Sequence, residues 1–378
     1  MRKGFVFGTL VLVACGGEEQ QVPPPVTPTP TVTATATAPE PVATTPPAPA
    51  PKPPMADMQR DAMKNAGEGL NGHDAKKFAG VYADDAVISV AGLNDVAGRA
   101  QVESNMEEWF KTFSKIKLGF NRVWMKDKTV VLEWVINGTH SGELFGVKGT
   151  ENQIGHYGLS IVSFDDDGKV KTERRYGDLG TVATQLGATK EKARAIPAIP
   201  DSTDVITSKG ADDAKSEEVA KAVLAAYDKK ADADYEKLLA DTVEVDGLLH
   251  LNTVKGKADA KKAFGAFFKA FPDAKITPGL VVGVGDSAVV EYTMTGTNKG
   301  AIGSVQPTKK PVTVHAVDVF KIKDGKVARV WSYQNSTEMM TQLGLFKVDV
   351  VKGGDAKGPA PKGGDAKGPA PKGPAPKK

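Results

Sequence analysis

TERRYGDLGTVATQLG, residues 172–187, returns in altered form as VARVWSYQNSTEMMTQLG, residues 327–344. Aligning the two QLG triplets places Tyr176 on Tyr333 and Asp178 on Asn335. Just upstream, FDDDGKV (164–170) falls on FKIKDGKV (320–327), with one extra residue in the second copy. Asp-Gly between runs of alternating apolar residues is a strong hairpin signal. TVVLEWVINGTHSG (129–142) pairs with SAVVEYTMTGTNKG (287–300) without a gap, setting Glu133 on Glu291, Trp134 on Tyr292 and His140 on Asn298. Before these, AQVESNMEEWFKTF (100–113) meets DAKKAFGAFFKAF (259–271), and both show helical spacing of apolar residues. The opening segments DMQRDAMKNAGEGL and SEEVAKAVLAAYDKK correspond as helices too.

Self-similarity over most of the chain means a duplicated domain. The copies span residues 56–190 and 214–350, joined by a Pro-broken, polar linker at 191–213. Each runs helices first and hairpin-linked strands after, which defines an α+β domain with N-terminal helices packed on a curved, mainly antiparallel sheet. Helical and strand segments do not alternate, so βαβ units are disfavoured.

The start, MRKGFVFGTLVLVAC, carries Arg2 and Lys3 and then an apolar run too short to span a bilayer as a helix. Residues 1–14 read as a secretory leader. Leu12-Val13-Ala14-Cys15 resembles the lipobox of a bacterial lipoprotein, which implies acylation of Cys15 and a lipid bilayer as partner. Several acyl chains hold stably where one is marginal. Gly16, in place of an Asp, implies outer-membrane sorting by the same resemblance. Cys15 is the only cysteine, so no internal disulfide is possible. Residues 15–55 are rich in Pro, Thr and Ala and read as an extended, disordered tether, in which the stretch from Gln20 to Pro54 alone reaches roughly 100 Å as an upper bound. Residues 351–378 repeat GGDAKGPAPK and read as a disordered tail with seven Lys against Asp355 and Asp365. The whole chain has a formal charge of +3, so the part before the tail is slightly acidic and carries no nucleic-acid footprint.

The second copy, through GKADAKKAFGAFFKAFPDAKIT, VVEYTMTGTNKG and QPTKKPVTVHAVDVFKIKDGKVARVWSYQNSTEMMTQLG, resembles the SnoaL-like branch of the nuclear transport factor 2-like superfamily. The first copy keeps NGTHSGE and DGKVKTERRYGDLGTVATQLG but has KGTENQIGHYG where the second has its Pro-Val strand. The resemblance implies two tandem cone-shaped domains, each with an apolar pocket at its mouth. It also implies a choice among polyketide cyclases, isomerases, dehydratases and pure binding or dimerisation modules, none needing a cofactor.

In the cyclase-like relatives an Asp near the end of the last hairpin strand is the acid/base, and the matching residue here is Asp178. Arg174, Tyr176 and Asp178 alternate onto one face of that strand, as do Trp331, Tyr333 and Asn335 in the second copy. If Asp178, His140 and Tyr176 do chemistry, the second copy has lost two of them, since Asn exchanges no proton near neutral pH. Chemistry would then be confined to the first domain. Trp109, Trp134, Arg174, Tyr292, Trp331 and Tyr333 are candidate ligand contacts. Glu133 and Glu291 read as residues of an outer sheet face, paired with Lys or Arg across strands. The five His include no pair at helical metal-ligand spacing, and there is no CxxC, so no metal site is expected.

The leading reading is a non-catalytic envelope lipoprotein whose duplicated domains bind a small apolar ligand or a protein partner. A cofactor-independent cyclase, isomerase or dehydratase in the first domain is the alternative. A third reading is structural: the domains pack sheet to sheet as an internal pseudo-dimer, or the chain forms a homodimer.

Overall fold

The computed structural model describes residues 52–189, 192–247 and 252–346. The leader, Cys15, nearly all of the tether and the Lys-rich tail at 351–378 lie outside the described residues. The first domain opens with α1 (Met55–Asn71) and α2 (Ala75–Ala79), followed by β1 (Tyr82–Val90), β2 (Val96–Ala97), α3 (Arg99–Thr112), β3 (Phe113–Lys126), β4 (Thr129–His140), β5 (Gln153–Phe164), β6 (Val170–Gly177) and α4 (Leu179–Gln185). The connection contributes β7 (Asp204–Thr207). The second domain repeats the order as α5 (Ala211–Lys229), α6 (Asp232–Leu238), β8 (Leu239–Asp246), β9 (Val254–Lys255), α7 (Lys257–Ala270), β10 (Lys275–Val284), β11 (Ser287–Thr297), β12 (Pro311–Lys323), β13 (Lys326–Gln334) and α8 (Ser336–Leu343).

The first sheet runs β2-β1-β6-β5-β4-β3-β7 and the second β10-β11-β12-β13-β8-β9. Each is antiparallel except where β6 meets β1 and β13 meets β8, and where β7 runs parallel to β3. The linker is therefore more than a polar connector: its Asp-Val-Ile-Thr run, rich in branched residues suited to a pleated strand, closes the open edge of the first sheet. The hairpin between β12 and β13 turns on Asp324 and Gly325, with φ of 51° and 71°, the left-handed pair that a two-residue turn requires.

Alternation along the strands divides the molecule into three cores. Even-numbered β4 residues such as Val130 and Leu132 face the helices of their own domain, with Phe113, Ile116 and Val162. In the second domain Val290, Met294 and Phe320 do the same against Val223, Leu224 and Phe264. The opposite faces meet each other: Trp124, Val131, Leu159 and Ile161 of the first sheet pack with Val284, Val289, Val317 and Val319 of the second. These side chains are 0–2% exposed. Removing each from water contributes about 1.5–3 kcal/mol, so the contact between the domains is a third core.

Polar groups in that contact are reciprocal. Tyr333 bonds to Glu133, and Tyr176 donates to Glu291 Oε1 at 2.6 Å. Glu133, opposite Arg122 in register, pairs with that guanidinium and takes Asn121 Nδ2 at 2.8 Å. Glu291 pairs with Arg174 of the other domain. Arg122 also lies 3.7 Å from the ring centre of Trp331. Both glutamates thus stand on the face opposite the cone, with Arg partners, but that face is covered by the other domain and Glu133 is 2% exposed.

Candidate functional site

The cone of the first domain encloses a cavity of about 280 Å³ between its helices and the concave side of its sheet. Ala66, Met106, Trp109, Leu118, Phe120 and Trp134 supply much of its apolar wall. Trp134 lies flat across β5 because the residue opposite it is Gly158, where a Cβ would stand 2.1 Å from the indole ring.

The polar part of the wall comprises Asn94, Asn105, His156 and a group centred on the cone face of β6. Glu173 is buried and takes four donors: Tyr82 hydroxyl at 2.7 Å, Ser160 Oγ at 2.7 Å, and Arg175 Nε and Nη2, each at 2.9 Å. Trp134 Nε1 donates in turn to Ser160 Oγ at 3.1 Å. Burial alone would raise the Glu173 pKa, but the Arg175 charge and these hydrogen bonds hold it below the ordinary carboxylate value. Glu173 is a structural anion, saturated and ionised, and not poised to take up a proton.

The second domain puts a different carboxyl and more aromatic rings in the corresponding space. Sheet register sets Ser160 against Arg175 and Asp318 against Ser332, so Asp318 occupies the place of Ser160. Matching the two Phe residues in the sequence had set Asp318 on Val162, two residues away. Asp318 Oδ2 accepts from Tyr227 at 3.0 Å and Tyr292 at 3.3 Å. Burial pushes its carboxyl up to about 6, against the opposing pull of the surrounding hydroxyls. Around it Tyr235 stacks on Phe264 at 4.5 Å between ring centres, Phe264 meets Phe268 at 4.7 Å, and Tyr227 touches Tyr235, Phe264 and Tyr292. By strand register and helix ends, Ala66 and Met106 of the open cone correspond to Val223 and Phe264, both core residues of the other one. The cavity and the carboxyl of raised pKa are in different domains.

The structure disperses the sequence-predicted trio. Asp178 is the N-cap of α4: Oδ1 accepts from Gly180 N at 3.2 Å, Ser336 N at 2.9 Å and Ser336 Oγ at 2.5 Å, and Oδ2 from Thr181 N at 3.2 Å and Thr181 Oγ1 at 2.6 Å. Its counterpart Asn335 caps α8 through Thr337 N at 3.3 Å and Thr337 Oγ1 at 2.7 Å. Asp and Asn are near-equal helix caps, which explains the exchange between copies without any loss of chemistry. His140 Nδ1 lies 3.1 Å from Thr150 Oγ1 and accepts from Thr150 N at 3.3 Å, while Asn298 Oδ1 accepts from Thr308 N at 2.7 Å. Both staple the same loop. His140 is fully buried, and desolvation lowers its pKa. Asp178 and His140 are not hydrogen-bonded to each other, and Tyr176 points to Glu291 in the second domain.

Of the predicted ligand contacts, Trp109 and Trp134 line the cavity. Arg174, Trp331 and Tyr333 belong to the contact between domains, and Tyr292 to the filled cone. Tyr176, Asp178, Trp331 and Tyr333 also border a polar interdomain cleft of about 550 Å³. The sequence reading singled out the face of β6 that meets the second domain, and did not single out Tyr82, Ser160, Glu173 and Arg175, which line the cone. A usable signal was present: the interface face repeats between copies, with Tyr176 on Tyr333, whereas on the cone face Glu173 and Arg175 meet Val330 and Ser332. Among the described residues, no group of three His, Cys, Asp or Glu is placed to hold a metal.

Two tandem α+β domains, each with helices laid over a curved sheet and one with an open apolar cone, define the class of protein to which this chain is similar. The sequence profile of the SnoaL-like polyketide cyclase family matches residues 60–186 and 217–343, about two thirds of the chain, and the chain belongs to that family. No curated protein matches it. Among solved structures it is similar to a protein from Jannaschia sp. CCS1 described as a SnoaL-like polyketide cyclase, with 18% identity, TM-score 0.35, and coverage of 37% of this chain and 99% of the other. It is also similar to a protein described as a ketosteroid isomerase from Kribbella flavida DSM 17836, at 21% identity, TM-score 0.26, and coverage of 32% and 79%. An epoxide hydrolase from M. tuberculosis is similar at 13% identity, TM-score 0.29, and coverage of 35% and 90%.

Proposed function

We propose that this chain is a non-catalytic binding protein of the cell envelope, in which the first domain holds a small, largely apolar molecule and the second serves as its filled, paired scaffold. The observation that carries this reading is the separation of the cavity from the carboxyl of raised pKa. The open cone offers a saturated, ionised Glu173 and a buried His156, held by Nδ1 at the Tyr157 carbonyl and lowered in pKa by desolvation. Asp318, raised towards neutrality, is enclosed by tyrosine and phenylalanine rings in the other cone. General acid/base catalysis needs a proton-transfer group within reach of a bound substrate. Asp178, the acid/base candidate of the alternative cyclase-like reading, has both oxygens engaged by five donors.

Attachment to the outer membrane through acylated Cys15 completes the reading and rests on the Leu-Val-Ala-Cys sequence and the proline-rich tether behind it. The internal pseudo-dimer is part of the same proposal: the face-to-face packing of the two sheets supports one folded body per chain. The test is titration with N-phenyl-1-naphthylamine, an uncharged apolar fluorophore. Wild-type protein is expected to bind one equivalent, and A66L/M106F, which places two larger side chains in the cone, to bind none. Equal binding by both would place the site elsewhere and end the proposal.

A further inference from the structure

The cleft between the domains is chemically unlike the cone. Its space of about 550 Å³ is bordered by Tyr157 and Tyr176 of the first domain, by linker residues 194–197, and by Trp331, Gln334 and Asn252 of the second. No single domain could form it. Its lining charges balance, with Arg122, Arg194 and Arg329 against Glu133, Asp178 and Asp246. Glu133 pairs with Arg122, Asp246 pairs with Arg329, and Asp178 is filled by its five donors. His156 also borders the cleft, and because desolvation lowers its pKa it adds no charge at neutral pH.

Neutral polar groups are left over. The Tyr157 hydroxyl and the amides of Asn252 and Gln334 make no hydrogen bond with a described residue. Asn121 gives Nδ2 to Glu133 at 2.8 Å, which leaves its Oδ1 as an acceptor. Arg122 spends Nη2 on Glu133, and its Nη1 is neither buried nor bonded. Among these groups are two rings: Tyr157, 45% exposed, and the half-buried Trp331, steadied by the Arg122 guanidinium 3.7 Å from its ring centre.

Packing of the domains does not require this set. Contacts that packing requires recur in both copies, as Tyr176 and Tyr333 do. Strand register and the repeated ending instead put His315, Arg174 and Gly177 in the places of Tyr157, Trp331 and Gln334. One half of the pseudo-symmetric body therefore carries two rings and an amide that the other half lacks.

The balance of groups selects a ligand class. A carboxylate, phosphate or ammonium would add a net charge to a wall already neutral, and burying it is costly. An apolar ligand would strip water from the amides and replace none of its hydrogen bonds. A peptide read through its backbone adds to an open sheet edge, whereas β5, β6 and β13, which face the cleft, are interior strands. Neighbouring hydroxyls on a saturated ring meet none of these obstacles. Each hydroxyl donates and accepts, as each side-chain amide does, and the ring C–H groups suit an aromatic surface.

We infer that the interdomain cleft binds a neutral sugar, with Gln334, Asn252 and the Tyr157 hydroxyl taking its hydroxyl groups and the rings of Trp331 and Tyr157 its C–H face. This site is independent of whether the cone of the first domain holds a ligand.

The test is calorimetric titration of the full chain with maltotriose, cellotriose and tri-N-acetylchitotriose, beside trigalacturonate and N-acetyl-trialanine amide. At least one of the neutral sugars is expected to bind, and more tightly than the anionic sugar or the peptide. Y157A/Q334A is expected to weaken that binding about tenfold, as the loss of two hydrogen-bonding groups implies, with unchanged far-ultraviolet circular dichroism. N252A, at an exposed position outside the strands, repeats the measurement without touching a sheet and is expected to weaken binding about threefold. A66L/M106F is expected to bind the sugar as the wild type does. Failure of all three neutral sugars to bind would overturn the inference, as would full affinity in N252A or in a folded Y157A/Q334A. Tighter binding of trigalacturonate or of the peptide would overturn the ligand class. Loss of sugar binding in A66L/M106F would move the sugar to the cone and overturn the site, whereas failure of the apolar fluorophore alone would end the proposed function and leave this inference standing.

Discussion

Tyr176 in the first domain donates its hydroxyl to Glu291 in the second at 2.6 Å, and Tyr333 in the second returns the same contact to Glu133 in the first. Residue i touching j while j touches i is the mark of an isologous interface, here written within one chain. The two contacts differ in their cations: Arg122 and Arg174 both come from the first domain. Y176F removes a buried hydrogen bond to a charged acceptor and is expected to lower stability by about 1.5–3 kcal/mol. Denaturant unfolding of Y176F, E291Q and the double variant is expected to show coupling of about 1 kcal/mol; strictly additive effects would contradict the contact.

Asp318 makes the second domain's stability depend on pH in an unusual direction. Its folded pKa, about 6, lies above the unfolded carboxyl value of about 3.9. The folded state therefore holds the proton more tightly, and the stabilisation is fully present below about pH 4 and lost as pH rises through 6. D318N, which is neutral throughout, is expected to be more stable than the wild type at pH 7.5 by on the order of 2–3 kcal/mol, with the advantage gone near pH 4. Thermal unfolding of both proteins across that range checks it; a constant difference would contradict it.

Asp178 acts as a cap shared between α4 and the start of α8. D178A is expected to cost about 1–2 kcal/mol, whereas D178N, which reproduces what Asn335 does in the other copy, is expected to retain most of the stability. Neither is expected to change probe affinity, because Asp178 does not line the cavity. A loss of binding in D178N with stability intact would restore Asp178 as a site residue.

The duplication, the hairpins and the α+β order were legible because each is written in local pattern: Asp-Gly tips, strand alternation and helical spacing repeat twice. The two faces of β6 were not separable by such pattern. Glu173-Arg174-Arg175-Tyr176 alternates polar and charged residues on both sides, and only pairing with the second domain shows that Tyr176 faces a protein core and Arg175 a cavity. The cap and loop-staple contacts behind the Asp178/Asn335 and His140/Asn298 exchanges were not legible for the same reason. In each the shared property is hydrogen-bond acceptance by a cap or loop staple, which composition alone does not distinguish from proton transfer. Glu133 and Glu291 were placed on the correct side of their strands, but that side is covered by the partner domain.

The central claim is that one cone is open for a ligand and the other is filled. Native mass spectrometry of the full chain, wild type beside A66L/M106F, tests it most directly, with 2-acetylnaphthalene added to both. The account predicts a single retained adduct on the wild type and none on the filled variant. An adduct that persists on A66L/M106F, or a wild type that carries none, would contradict it.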